Sequence, residues 1–245
     1  MPPFPECLDL LDDAGTHPPA AVQILGLPPA AIRLLPNFSG NLAWLAGDTG
    51  AQTKSEPAFV FVSWDEALTE TLTALLATPG FRSIVVILHR PDQAPPATLI
   101  GRPLVHFSFD GDLLDAILGL VAPLVMPLVY QSVICVALED FEYLFAQGGR
   151  LRCLGDTRGE HLDVCLAELA CQLGETKRPA GGYKRLLTSM LLPSPLPAFS
   201  VIDRVLGVVG RYNTGADTSW LISTLVHQEA TSSLCVYALE PPDML

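Results

Sequence analysis

Lysine and arginine are scarce in this chain: 14 of them stand against 26 aspartates and glutamates, a net charge of −12 over 245 residues. With no basic stripe to neutralise phosphates, nucleic-acid binding is excluded. Charge of either sign is sparse, at 16% of residues, whereas 49% are apolar and the mean hydropathy is +0.37. That balance excludes a disordered chain, and the length suits one large domain or two small ones. So much apolar composition with so little charge predicts that some apolar surface is covered by a partner or a second copy.

Catalytic signatures are missing too. The sequence contains no G-x-S-x-G elbow, no G-x-x-x-x-G-K-[ST], no H-E-x-x-H and no G-x-G-x-x-G. His17, His89, His106, His161 and His227 are scattered without ligand spacing and read as surface or capped side chains. Asp110, Asp112 and Asp115 resemble a fragment of a calcium loop, but without the distal bidentate glutamate they read as a helix N-cap. Ser223 and His227, four apart in a predicted strand, would lie more than about 10 Å from each other. The residues therefore point to no metal, no cofactor and no enzyme.

Six cysteines occur without a C-x-x-C pair or a dense framework, which predicts reduced thiols in a cytoplasmic protein. Cys165 falls on the apolar stripe Leu162, Leu166, Leu169 and Leu173, where a thiol serves as a small core residue. The opening MPPFPECLDLLDDAG carries neither the basic nor the apolar region of a secretory signal. One run, residues 116–138, has only Gln131 and Ser132 clearly polar and is long enough to span a bilayer. Its flanks are acidic on both sides, with no Lys or Arg to mark an orientation. A buried helix leading into a buried strand gives the same composition and is the expected reading, with membrane association as the alternative.

Apolar runs at 22–27 and 42–46 are followed by two continuously apolar, β-branched runs, Phe59–Ser63 and 84–88, the pattern of strands covered on both faces. Between the latter two, Leu68, Leu72, Leu75 and Leu76 predict a helix over 65–77, with Asp65 and Glu66 at its favourable N-terminal end. Strand, helix and strand at this spacing make a βαβ unit of a parallel sheet. A proline-rich loop spans 91–103. Beyond it the pattern predicts a helix over 112–129, a strand over 133–138 and a helix starting at 140. The rest alternates: strand 150–154, helix 160–173, strand 186–191, helix 200–210, then antiparallel-looking strands 220–226 and 234–239.

The order of these elements resembles FtsZ, the bacterial tubulin-like division GTPase. SVICVALEDFEYLFAQGG is similar to the family's segment after its central helix, and RLRCLGDTRGEHLDVCLAELACQ to its next strand, turn and helix. The remainder, to about residue 240, follows the order of its C-terminal domain. Earlier, VQILGL, LAWLAGDTGAQ, FVFVS and IVVILHRPD resemble, in order, the family's I-K-V-I-G-V, F-I-A-V-N-T-D-A-Q, M-V-F-I-T and V-G-V-V-T-R-P-F. The resemblance implies an α/β, FtsZ/tubulin-like fold. It has a reduced Rossmann-like nucleotide-binding-type domain at 1–110, a connecting helix at 111–130 and an α/β C-terminal domain at 131–245.

The departures bear on chemistry. Where the family cradles phosphate with a glycine-rich turn, this chain has Pro28, Pro29, Ala30 and Ala31; proline has no N–H to donate and fixes φ. Where G-G-G-T-G-T-G should follow FVFVS, Ser63 runs straight into Trp64, Asp65 and Glu66, and two carboxylates repel a phosphate. The hydrolysis-loop positions, Asn, Asp and Asp in the family, are matched here by Cys135, Ala137 and Asp140. A lone Asp140 at a helix start serves equally as a cap. The resemblance and its losses imply a pseudo-GTPase without cofactor, a scaffold or regulator of bacterial cell division. Its partner would be FtsZ or itself, as a closed homodimer rather than a dynamic filament. The alternative is an emptied acidic cleft of Asp48, Asp65 and Glu66, reused for a cation or small molecule.

Overall fold

The computed structural model describes residues 20–27, 29–33, 35, 42–46, 57–130, 134, 136–179, 182–194, 199–213, 218–227 and 231–241. Its frame is one nine-stranded sheet. Strands β1 (Ala20–Leu25), β2 (Leu42–Ala46), β3 (Phe59–Ser63) and β4 (Ile84–His89) lie in the spatial order β2-β1-β3-β4, all parallel. β3 and β4 are buried along nearly their whole length, as their unbroken apolar runs require. A short helix α1 (Pro29–Ile32) follows β1, and between β3 and β4 a 3-10 turn, Glu66–Leu68, leads into α2 (Thr69–Leu76).

The proline-rich segment after β4 forms no helix. It makes a two-stranded hairpin, β5 (Thr98–Leu99) with β6 (Arg102–Pro103), and then enters β7 (Val105–Ser108), parallel to β4. Sequence reading missed β7, whose four residues are too few for a periodic signal. The described part of the run, residues 116–130, is mostly core, and among the described residues no helix is long and apolar enough to cross a membrane. Asp112 caps α3 (Leu113–Leu120) by accepting the Leu114 N–H at 2.7 Å. Pro123 cannot donate to the helical ladder, and Val121–Val125 widens into a π segment before α4 (Met126–Val129). Ile117, Leu120, Val121, Leu124, Val125 and Met126 are all buried here.

Among the described residues, the strand expected at 133–138 is absent. Val133 and Cys135 lie outside the described residues, Ile134, Val136 and Ala137 carry no strand, and Leu138 opens α5 (Leu138–Phe145). β7 is already bonded on both sides, to β4 and to β8 (Gly149–Gly159), so that part of the sheet offers no free edge.

Helix α6 (Leu162–Glu175), strand β9 (Arg185–Pro193), helix α7 (Phe199–Tyr212) and strands β10 (Ser219–His227) and β11 (Ser232–Glu240) complete the fold. Cys165, Leu166, Leu169 and Leu173 are buried, as the stripe predicts. The last two strands are not neighbours: β11 inserts between β8 and β9, antiparallel to both, and β10 runs parallel to β9 at the edge. β11 is buried over Leu234–Glu240 and belongs in the interior, whereas β10 is only half-buried over 219–222 and tolerates an edge.

Three apolar layers follow. The helical segment 113–129 and α5 cover one face of the whole sheet, packing on Phe59, Phe61, Val86 and Leu88 at one end and Leu187, Leu225 and Tyr237 at the other. On the opposite face α2 covers the first half and α6 with α7 the second.

The halves join at β7 and β8 through two register pairs, Val105↔Gly149 and His106↔Arg150. Gly148 and Gly149 hold φ of 62° and 122°. A Cβ on Gly149 would stand 2.1 Å from the Glu240 carbonyl oxygen, and one on Gly148 2.5 Å from that of Leu104. Gly149→Ala therefore combines a disallowed φ with a backbone clash and should cost about 3 kcal/mol or more in urea unfolding. Gly207→Ala, mid-helix in α7 with no atom within 4 Å of its Cβ, should instead stabilise by about 0.5–1 kcal/mol.

Candidate functional site

Parallel α/β sheets bind ligands at the carboxyl ends of their strands, so the exits of β1 and β3 are where a phosphate-binding site would be built. After β1 the chain turns at Gly26, with φ of 81°, directly against the exit of β3. A Cβ on Gly26 would lie 2.7 Å from the Ser63 carbonyl oxygen and 2.9 Å from Leu68 Cδ1. Pro29 opens α1, the position where a missing N–H costs least, and Ala30 and Ala31 continue it. Pro28 lies outside the described residues. Four residues of helix offer neither a macrodipole nor a row of free N–H groups.

The β3 exit is equally short. Trp64 donates its N–H to the Leu88 carbonyl at 2.8 Å, and one residue later the Asp65 carboxylate accepts the Ala67 N–H at 2.9 Å. Asp65 is thus the cap of the 3-10 turn, with Glu66 exposed beside it. Asp48, the third member of the expected acidic cleft, lies outside the described residues.

Of the hydrolysis-loop positions, Cys135 lies outside the described residues. Ala137 precedes α5, and its N–H is accepted by the Asp140 carboxylate at 2.8 Å, while the Asp140 N–H returns to the Ala137 carbonyl. Asp140 therefore makes a capping contact at the start of α5. A second link ties this helix to the first half of the sheet: Arg82, before β4, donates to both Glu142 carboxylate oxygens, at 3.2 and 2.9 Å.

Other groups that sequence reading set aside are placed differently from expectation. His89 and His106, read as surface or capped residues, are 7% and 1% exposed, because each stands on a strand covered on both faces. Their burial was legible only in part: IVVILH ends in His89, but nothing around His106 marked β7. Among the described residues no three His, Cys, Asp or Glu side chains gather to hold a metal ion. Cys235 donates to the Asp156 carboxylate at 3.1 Å, and burial first, with Asp156 second, pushes its thiol well above the ordinary range, so it is no nucleophile.

No family model and no curated protein matches the chain, but solved structures do. A W319Y mutant of FtsZ from M. jannaschii superposes with a TM-score of 0.59 at 10% sequence identity, covering 91% of this chain and 92% of that one. CetZ from Methanosaeta thermophila gives a TM-score of 0.54 at 10% identity, covering 91% and 87%. An empty FtsZ dimer from M. jannaschii gives 0.54 at 11% identity over 76% of this chain, which spans 64% of that chain's length. The protein has the FtsZ/tubulin fold, a mixed α/β architecture on a large, mostly parallel sheet.

Asp140→Ala and Asp65→Ala should each lower the urea-unfolding free energy by about 1 kcal/mol, the loss of a cap. Unchanged stability in both would remove the structural role assigned to these carboxylates.

Proposed function

We propose that this chain is a non-catalytic FtsZ-like protein that acts through protein–protein contact, as a scaffold or regulator of division or cytoskeletal assembly, and neither binds nor hydrolyses GTP. The observation that carries this reading is the closed junction of the β1 and β3 exits. Gly26 packs on Ser63 and Leu68, and Asp65 caps the following turn, where a phosphate would need open N–H groups and no negative charge. On this reading residues 1–110 are a nucleotide-binding-type unit that has lost its ligand, 111–130 the connecting helix and 131–245 the C-terminal unit.

Self-association is supported by the company the fold keeps: one similar structure is an FtsZ dimer, and another is a TubZ protofilament, at a TM-score of 0.53 and 13% identity. Over residues 116–130 the apolar run is largely buried and supplies little surface for contact. Tyr143 on α5 and Phe199 at the start of α7 are 74% and 71% exposed, and these are the apolar side chains a partner or second copy would cover.

Titration with a fluorescent GTP analogue should give no saturable signal, and phosphate release should not exceed the protein-free rate. Sedimentation with FtsZ from the same organism, with GTP present, should carry this protein into the pellet or change the amount of FtsZ pelleted. Saturable nucleotide binding would overturn the loss of GTP. A fixed small oligomer that leaves FtsZ untouched would overturn the division role.

A further inference from the structure

Two imidazoles are buried against each other at the seam of the sheet. His89 closes β4 and His106 lies in β7; their ring centroids are 6.0 Å apart, with the planes at 74°. Strand alternation puts both on the face of Val85, Ile87 and Leu104, the apolar layer that α2 shares with Trp64, Leu68 and Leu99. The His89 Nδ1–H donates to the Arg90 carbonyl at 2.8 Å, which leaves Nε2 unprotonated. That nitrogen and both nitrogens of His106 are buried and have no hydrogen-bond partner among the described residues.

Each of these orphaned nitrogens costs free energy, and a proton added to either ring would bury a charge. No carboxylate bears on His106; the titratable group that does is His89. Arg150, its register partner on β8, shares its face of the sheet and is half-exposed, and Arg90 stacks over the Phe109 ring at 4.6 Å. Asp92 in the crossover, and Asp65, Glu66 and Glu70 on the β3–α2 side, are exposed.

The 90–104 crossover runs along this face, with Leu99 and Leu104 packed into the same apolar layer. Gln93 donates to the Trp64 carbonyl at 3.3 Å, Arg102 donates to the Phe81 carbonyl at 2.8 Å and lies over the Phe81 ring, and the Leu104 carbonyl accepts the Gly149 N–H at 3.0 Å, while the Leu104 N–H bonds to the Ala97 carbonyl within the crossover. Its tip, Ile100, sits at a φ of 46°, strained for a β-branched residue, and is half-exposed.

We propose that His106, buried against His89, is a proton-operated latch at the seam: while its ring is neutral the 90–104 crossover stays closed over β4 and β7, and proton uptake by His106 opens it. Burial, and then the His89 charge, push His106 down from 6.5 to about 4. A depressed imidazole favours the closed form in full above pH 6.5, and that advantage is lost progressively as pH falls towards about 4. For His106 alone the opening constant should rise about 30-fold by pH 5 and about 150-fold by pH 4.

The test is hydrogen exchange on the full chain at pH 7.5 and pH 5, corrected for intrinsic rates, beside an NMR titration of the histidine rings. Amides of β4, β7 and 90–104 should open about 30-fold more at pH 5 while α6 and α7 stay protected. In His106→Phe the pH-dependent part should fall away, and His89→Leu should reduce it. A His106 ring titration near 6.5 would overturn the latch, as would equal acceleration in every element or a full response retained in His106→Phe. If neither variant folds, the ring titration and exchange of the unaltered protein decide the question.

Discussion

The seam between β7 and β8 is the constraint on which the rest of the structure depends. Two register pairs join a four-strand parallel unit to a four-strand mixed one through β7, and so few backbone bonds would not hold the halves in line by themselves. They are held because the helical segment 113–129 lies across both halves on one face, and because Gly148 and Gly149 let β8 pass between the Leu104 and Glu240 carbonyls. Arg185 closes the corner, donating to the Leu144 and Gly148 carbonyls at 3.1 Å each and placing its charge at the C-terminal end of α5.

This arrangement holds the sheet together independently of the loops at its strand ends. The sheet is stabilised by strands such as Phe59–Ser63 and Ile84–His89, whose side chains bury apolar surface on both faces whatever the loops beyond them do. Loops at the strand exits are free to shorten or lose glycines so long as their backbone groups are satisfied. The β1 turn packs on Leu68, and the β3 exit ends in an Asp65 cap. The proposed function rests on that packing and not on a missing motif alone.

Periodicity and punctuation made much of this readable. Leu68, Leu72 and Leu76 announced α2, the Cys165 stripe announced α6, and the two β-branched runs announced β3 and β4. Asp112 was legible as a cap, and Asp140 as a cap no less than a catalyst, because a carboxylate at a helix start has a local partner within three residues. Among the described residues of 133–138 no strand formed, because an apolar, β-branched composition states a wish for burial without stating a shape. The position of β11 could not be read either: adjacency in sequence suggests a hairpin, and only competition for the interior of the sheet moved it between β8 and β9.

What the sequence by itself determined is whatever depends on neighbours a few residues away: the apolar runs, the helical stripes, the caps and the prolines that cannot donate. From these much of the order of elements followed, and its resemblance to FtsZ led to the FtsZ/tubulin fold. Tertiary structure alone decided the β7–β8 seam, the clash that reserves Gly149 for glycine and the burial of His89 beside His106. Each of these pairs residues far apart in the chain through a sheet register, and a register is set by the simultaneous packing of both faces rather than by any local pattern.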